Sequence, residues 1–439
     1  MQTSSGGSAK RYPLTPGQAS HHARSRSAPE VSTSLSVTYR IDGELDVERF
    51  IEALDSTVAR HDCLRIGLSE EDGRPPVQWA RPAPGRAALI RCQQVRSSSE
   101  EQFTRYAKLV HRSDLAEPWD LSAGYPFRFR LLRHSPGLHA FLASFSHVAL
   151  DGRGTALVLR DLWHAFEYGP TGPGAETMAP AASFVEAAER GTAGPHEASG
   201  AFWDQRISEA RQFAPRQFAP RPAELPGDDQ PSYTAAHATV TGAERSELRA
   251  YAKSFRATEV QVAIAALANA VFAETAEDHL HVWLPVDART FGESDTSGMF
   301  TVSLPVSLRR TDGIAEMIRQ VRNEVMSVAA HRQVDHATAS AVSESFRERD
   351  GVRGWMLSTG YFNNDQNPGE KSVRGIVARP NGYPADTRYS SRGAELKVLG
   401  STESLRVTLA LGSRFAADPA ARRIFDSFAA DLGGVRLTW

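Results

Sequence analysis

Apolar and polar residues alternate over 35–41 (Leu35-Ser36-Val37-Thr38-Tyr39-Arg40-Ile41), the period of a half-buried strand, and Asp42-Gly43 then supplies a turn. Over 46–58 the period lengthens. Val47, Phe50, Ile51, Leu54 and Val58 share one helical face behind Asp46, which reads as the N-cap. Residues 60–68 return to extended structure, and 101–111 form a second helix. Residues 125–133 alternate again, with Phe127, Phe129 and Leu131 on one side. Pro136-Gly137 turns the chain into a strand over 138–148, so the pair predicts a hairpin. A helix over 155–168 follows, closed by Gly169-Pro170-Thr171-Gly172-Pro173-Gly174, a composition suited to a linker.

Beyond that run the chain opens with helical pieces. Arg211-Gln212-Phe213-Ala214-Pro215 is followed by its near-copy Arg216-Gln217-Phe218-Ala219-Pro220, read as a surface loop because two copies make no repeat architecture. Helices are predicted over 242–254 and 259–273, then strands over 281–284, 300–308, 355–363 and 405–411, and a closing helix over 419–432. Strands and helices mixed in both halves argue an α/β (α+β) class.

At 439 residues the chain is long enough for two domains or a two-lobed one. Fifty basic residues, nearly all arginine, against 52 acidic ones leave a formal charge of −2, with no electrostatic case for nucleic acid or an anionic membrane. The two cysteines, Cys63 and Cys92, support neither a disulfide framework nor a zinc site, and Cys63 reads as a small buried thiol. Met1 to Lys10 lacks the apolar core of a signal peptide, and the longest apolar run, 260–273, is too short to span a bilayer; a cytoplasmic location is expected.

One segment carries chemistry: Ser146-His147-Val148-Ala149-Leu150-Asp151-Gly152. Alternation puts His147 on one strand face with Phe145, Ala143 and Phe141, and Ser146 on the other with Ser144 and Leu142. His147 stands at the strand's C-terminal end, a favoured place for a site, and imidazole suits proton abstraction near neutral pH. Asp151 has two available jobs, capping the next helix or holding an arginine. Gly152 permits a backbone conformation that a side chain would penalise. Alone, a His-x-x-x-Asp-Gly pattern is weak, because a histidine at a strand end is more often structural. His21-His22 lies in a polar stretch and reads as solvated loop. His134 and His139 flank the hairpin turn, while His331 and His336 lack metal-binding spacing.

The order of segments resembles the condensation-domain family of nonribosomal peptide synthesis, within the chloramphenicol-acetyltransferase-like superfamily. Pro13-Leu14-Thr15-Pro16-Gly17-Gln18 resembles its opening motif, and Arg60-His61-Asp62-Cys63-Leu64-Arg65 the motif RHExLR. Trp119-Asp120-Leu121-Ser122 through Leu131-Leu132-Arg133 resembles the approach to the active site, and 146–152 stands where the family has HHxxxDG. Trp283-Leu284-Pro285-Val286-Asp287-Ala288-Arg289 and Gly298-Met299-Phe300-Thr301-Val302-Ser303-Leu304-Pro305-Val306 resemble two later strands.

The resemblance implies two chloramphenicol-acetyltransferase-like lobes in a V, with the active-site tunnel between them. On this plan residues 1–10 are a disordered N-terminus, 11–174 the N-terminal lobe and 175–439 the C-terminal lobe. His147 is the catalytic residue, as base or orienter of the nucleophile. Asp151 pairs with Arg289, and Gly152 and Ser146 are structural. Ser146 replaces the family's first histidine, and Thr301 or Val302 replaces an asparagine. Gly298, Tyr361 and Asn363 are candidate substrate-binding positions, although Asn363-Asn364 reads first as a turn.

The resemblance implies no cofactor of the enzyme's own, since phosphopantetheine enters as part of the thioester substrate. Carrier proteins and a small amine or alcohol acceptor are the implied partners. The chain ends at Trp439 without a carrier-type or adenylation segment, so a free-standing, monomeric condensation enzyme is expected. The alternatives are an acyl-CoA-dependent O- or N-acyltransferase and an inactive module that recruits a partner.

Overall fold

The computed structural model describes residues 10–27, 34–71, 73–169, 181–191, 197–212, 233–274, 278–347, 357–362, 369–383, 394–400, 404–412 and 419–432. The chain divides into two units, the first made of Met1–Ala193, Arg289–Phe300 and Asp365–Thr387 and the second of the remainder. This differs from a single cut near residue 174. The reason lies in two later segments: one pairs onto the first unit's sheet, and the other wraps a buried carboxylate there.

In the first unit, Tyr12–Pro13 (β1) and Pro16–Ser27 (α1) open the chain. Ser34–Asp42 (β2) and Val47–Arg60 (α2) follow, then Ile66–Ser69 (β3), Val77–Ala80 (β4), Arg86–Leu89 (α3) and Arg91–Gln94 (β5). Glu100–Ala116 (α4), Phe127–Ser135 (β6), Leu138–Ser146 (β7), Gly152–Tyr168 (α5) and Phe184–Gly191 (α6) complete the continuous part. Lys371–Val373 (β12) and Ile376–Pro380 (β13) return to it, giving a six-stranded sheet in the order β12-β13-β2-β7-β6-β5. A smaller sheet runs β1-β4-β3.

Every residue of β7 is buried, because both faces of its sheet are covered. Phe141, Ala143 and Phe145 pack with Phe50 and Leu54 of α2 and Trp163 and Phe166 of α5. Ala140 and Leu142 pack on the other face with Phe103 and Ala107 of α4 and with Tyr383. Each buried phenylalanine contributes about 1.5–3 kcal/mol, so this layer anchors the turn at the end of β7. As the spacing predicts, Asp46 caps α2, its carboxylate accepting the Arg49 N–H at 3.1 Å.

Three expectations change. The segment before residue 35 contains a helix, α1, held by a reciprocal box: Thr15 Oγ1 accepts the Gln18 N–H, and Gln18 Oε1 accepts the Thr15 N–H. Residues 62–65 form a 3-10 turn rather than extended chain, because Asp62 turns its carboxylate onto the start of α6, accepting from Phe184 N at 2.9 Å and Ser183 Oγ at 2.7 Å. The strand expected over 138–148 stops at Ser146, whose carbonyl accepts the Ala149 N–H and closes a turn. Of the Gly/Pro run, only Gly169 is described; it ends α5 with φ +84°, the left-handed sign glycine tolerates.

The second unit contains Glu197–Gln212 (α7), Tyr233–Thr241 (β8), Gly242–Ser254 (α8), Glu259–Glu274 (α9), His279–Asp287 (β9) and Thr301–Arg309 (β10). Ile314–Ala330 (α10), His336–Arg347 (α11), Leu357–Phe362 (β11), Ala394–Gly400 (β14), Ser404–Gly412 (β15) and Pro419–Asp431 (α12) complete it. Its six-stranded sheet runs β10-β9-β11-β14-β15-β8, with β11 parallel to both neighbours. α9 is apolar nearly all round because it is buried in this core with Phe425 and Phe428 of α12 and Ile318 and Val321 of α10. Strands β1, β4, β5, β8, β12, β13 and β14 have no counterpart in the sequence prediction. Among the described residues no single helix is long and apolar enough to cross a membrane.

Candidate active site

The turn after β7 is built around Asp151, which does both jobs open to it. As N-cap of α5 it accepts the Gly154 N–H at 2.7 Å, and Arg289 donates to its two oxygens at 2.8 and 3.0 Å. Phe300 N–H donates to the same carboxylate at 3.0 Å. Burial opposes ionisation here, but Arg289 and these N–H groups outweigh it and hold the Asp151 carboxyl below its usual range.

Arg289 is fully used. Its Nε donates to the Thr296 carbonyl, Nη2 also reaches the Gly298 carbonyl at 3.1 Å, and its guanidinium lies 4.4 Å from the Phe300 ring centre. The Asp151 N–H donates to that same Gly298 carbonyl. Gly298 and Gly154 meet backbone to backbone: a Cβ on Gly154 would stand 2.8 Å from Gly298 N and O, and one on Gly298 would strike the Phe184 ring. Gly298 therefore sits in the packing beneath the turn. Gly152 takes no positive φ, contrary to expectation; it is simply the first residue of α5.

A second buried network braces the same loop. Ser297 Oγ lies 2.7 Å from His61 Nδ1 and 3.2 Å from Cys63 Sγ, and His61 Nε2 lies 3.0 Å from Asp161 Oδ2 on α5. Arg60 and Arg160 also bind Asp161. Asp161 is pulled down to about 2: burial works against ionisation, and hydrogen bonding to His61 and the charge of Arg160 overcome it. Ser297, His61 and Asp161 are 3%, 2% and 1% exposed, so this serine–histidine–aspartate arrangement is closed to substrate. It explains the segment 60–65 residue by residue, with Leu64 in the core and Arg65 donating to the carbonyls of Val58 and Ala59.

His147 is the first residue past β7, in the turn that Asp151 and Ser146 define, so strand parity does not extend to it. The residue is half-buried. Nδ1 is buried without a hydrogen bond of normal geometry, and burial pushes the imidazole below its usual range, against the backbone oxygens of His147 and Leu150 and the charge of Asp151. Ser146 is buried and local: its N–H donates to the Pro126 carbonyl and its Oγ accepts the Val148 N–H at 3.4 Å.

His21, expected in solvated loop, lies on α1 with its ring stacked on His147, centroids 4.0 Å apart and planes 21° from parallel. The signal that could have found this helix is Thr15-Pro16-Gly17-Gln18, a cap, a first-turn proline and the box partner. Sequence reasoning also passed over Ser297. His134, in β6, is satisfied by Ser97 Oγ at 2.8 Å, and His139 is buried in β7. His331 ends α10 with its ring stacked on Phe202. In the second unit, the Tyr361 backbone pairs with Val398 in β11, and Thr301 and Val302 open β10. Asn363 and Asn364 lie outside the described residues.

A family model described as Condensation domain matches residues 8–349. The chain is 24% identical over 340 residues to malpibaldin synthetase of Mortierella alpina, a match that covers 74% of this chain and 6% of that protein. It spans only 4–6% of the length of several such curated relatives. Among solved structures, the X-domain from teicoplanin biosynthesis is similar with TM-score 0.74 at 18% identity, covering 98% of this chain and 97% of that one. The first condensation domain of the calcium-dependent antibiotic synthetase, in complex with a substrate analogue, gives 0.67 at 19%, covering 99% and 100%.

Proposed function

The chain belongs to the condensation-domain family, and from that premise we propose that it joins an acyl thioester to an amine or hydroxyl, with His147 as base or orienter of the nucleophile. The observation that carries this reading is the geometry of His147. The residue is half-buried in a turn whose position is set by the buried Asp151–Arg289 pair, and burial favours its neutral form.

In the proposed step the acceptor nitrogen or oxygen attacks the thioester carbonyl carbon. A carbon–nitrogen or carbon–oxygen bond forms and the carbon–sulfur bond breaks. The acceptor's proton passes through the imidazole to the departing thiolate, so no oxidant, reductant or metal enters the balance. Much of the rate comes from holding the reactants together. The thioester is carried on phosphopantetheine, and we assign it first to a carrier protein partner and second to coenzyme A. An enzyme of natural-product assembly fits this reading.

The test supplies the protein with carrier-loaded and coenzyme A-loaded acyl donors and amine or alcohol acceptors, and detects product by intact mass. The expected result is product with the native chain and a loss of about 10²–10⁴-fold in His147→Ala. Undiminished turnover in that variant overturns the role of His147. Faster transfer from coenzyme A moves the assignment to an acyl-CoA-dependent acyltransferase.

One observation favours a second reading, a recruitment module without chemistry: Ser146 stands where the motif has its first histidine. That reading predicts no product from any donor, together with a partner retained equally by the native chain and His147→Ala.

A further inference from the structure

α1 has no place in the proposed chemistry, yet it is fixed firmly beside it. Besides its reciprocal cap, Thr15 Oγ1 donates to the Met299 carbonyl at 2.7 Å. The buried side-chain amides of Gln18 and Gln78 pair at 2.9 Å, and Gln78 also reaches the Pro13 carbonyl. Leu14, just before the helix, packs with Val148 of the His147 turn, along with Leu68 and Leu121. These contacts tie the start of α1 to both the turn and the loop beneath it. His22 and Arg26 point to Glu70, which leaves His21 facing His147.

The His21 ring lies flat on the His147 ring at 4.0 Å, and its Nδ1 is buried without a hydrogen-bond partner. A buried polar nitrogen with no partner is costly and needs a reason. Ser146 supplies no ring to this place, because its hydroxyl serves its own turn. We propose that His21 is a positioning residue for the condensation reaction, its ring being the wall that holds the His147 imidazole in one orientation. The inference rests on the reading of His147 as base or orienter.

The stack also resists protonation. Burial, and then His147 and Arg24, keep His21 well below the usual histidine range, so two facing cations are avoided. The charged groups acting on His147 are Arg24 on α1, which disfavours its cation, and Asp151 beyond the turn, which favours it. A neutral ring held flat by another neutral ring keeps both its orientation and its basic nitrogen.

The experiment uses the full chain with His21→Ala and His21→Phe, each checked for a native melting transition. The titration of His147 is followed by nuclear magnetic resonance, and kcat and KM are measured with a loaded donor. His21→Ala should move the His147 midpoint upward as water reaches the exposed face, and lower kcat about 10-fold with KM little changed. His21→Phe, which keeps a flat ring, should recover most of both losses. The proposal is overturned by an unmoved His147 titration and kcat in His21→Ala, or by His21→Phe failing as badly as His21→Ala. If His147→Ala itself keeps full turnover, the catalytic reading falls, while the titration still reports whether His21 holds the ring.

Discussion

Arg289 grips both carboxylate oxygens of Asp151, at 2.8 and 3.0 Å, with the two side chains 2% and 1% exposed. The two residues are 138 positions apart. The pair joins the cap of α5 to the loop carrying Ser297 and Gly298, and so sets the turn on which His147 stands.

Removing one partner leaves a buried charge unpaired, which costs about 3–5 kcal/mol. Arg289→Ala should lower the urea midpoint accordingly. Arg289→Lys should recover little, because a point charge cannot reach both oxygens and the Thr296 and Gly298 carbonyls at once. Equal midpoints for the native chain and Arg289→Ala would contradict this account.

Gly154 has no room for a methyl group against the Gly298 backbone. Gly154→Ala should destabilise by about 1–3 kcal/mol through overpacking and slow the proposed condensation, whereas Gly137→Ala, at a hairpin turn with open space, should change stability little. Urea midpoints of the two variants decide the matter.

His147 loses its proton more readily than an ordinary histidine, mainly through burial. If its neutral form is the working one, kcat/KM should rise with pH through a midpoint below about 6.5 and be level by neutrality. A midpoint at or above that value would count against His147 as the titrating base.

His139 and His281 are each lowered to about 4, chiefly by burial. The unfolded chain takes up these protons near pH 6.5 while the fold refuses them until about pH 4. Stability should therefore fall as pH drops through that window, by up to about 1.4 kcal/mol per unit per group, with no such dependence above it. Melting temperatures from pH 7.5 to 4.5 test this, and His139→Gln should flatten the slope.

Cys63 is fully buried against Ser297 and its thiol is pushed up by burial, whereas Cys92 is exposed. A thiol reagent should label Cys92 in the native chain and reach Cys63 only on unfolding. Rapid native labelling of Cys63 would mean that the network beneath the turn opens.

Much of the fold was legible from local pattern. The helices α2 and α9 and the hairpin of β6 and β7 announce themselves, because a stripe of period 3.6 or alternation of period 2 survives wherever one element packs on a core. Short pieces such as β12, β13 and β14 do not, since a few residues cannot show a period and their pairing depends on where the chain returns.

For the candidate site, the motif singled out His147 and Asp151, and the family resemblance paired Asp151 with Arg289; only the tertiary structure revealed that the same carboxylate also caps α5. Ser297, beside His61, and His21, stacked on His147, carried no local sign of a role, since their partners stand far away along the chain. Strand parity correctly sorted the β7 side chains but lost its force at Ser146, where the carbonyl turns to the Ala149 N–H. Periodicity follows from the backbone's own repeat, so a sequence can determine it. The neighbours of a turn are chosen by the path of the whole chain, and packing decided those.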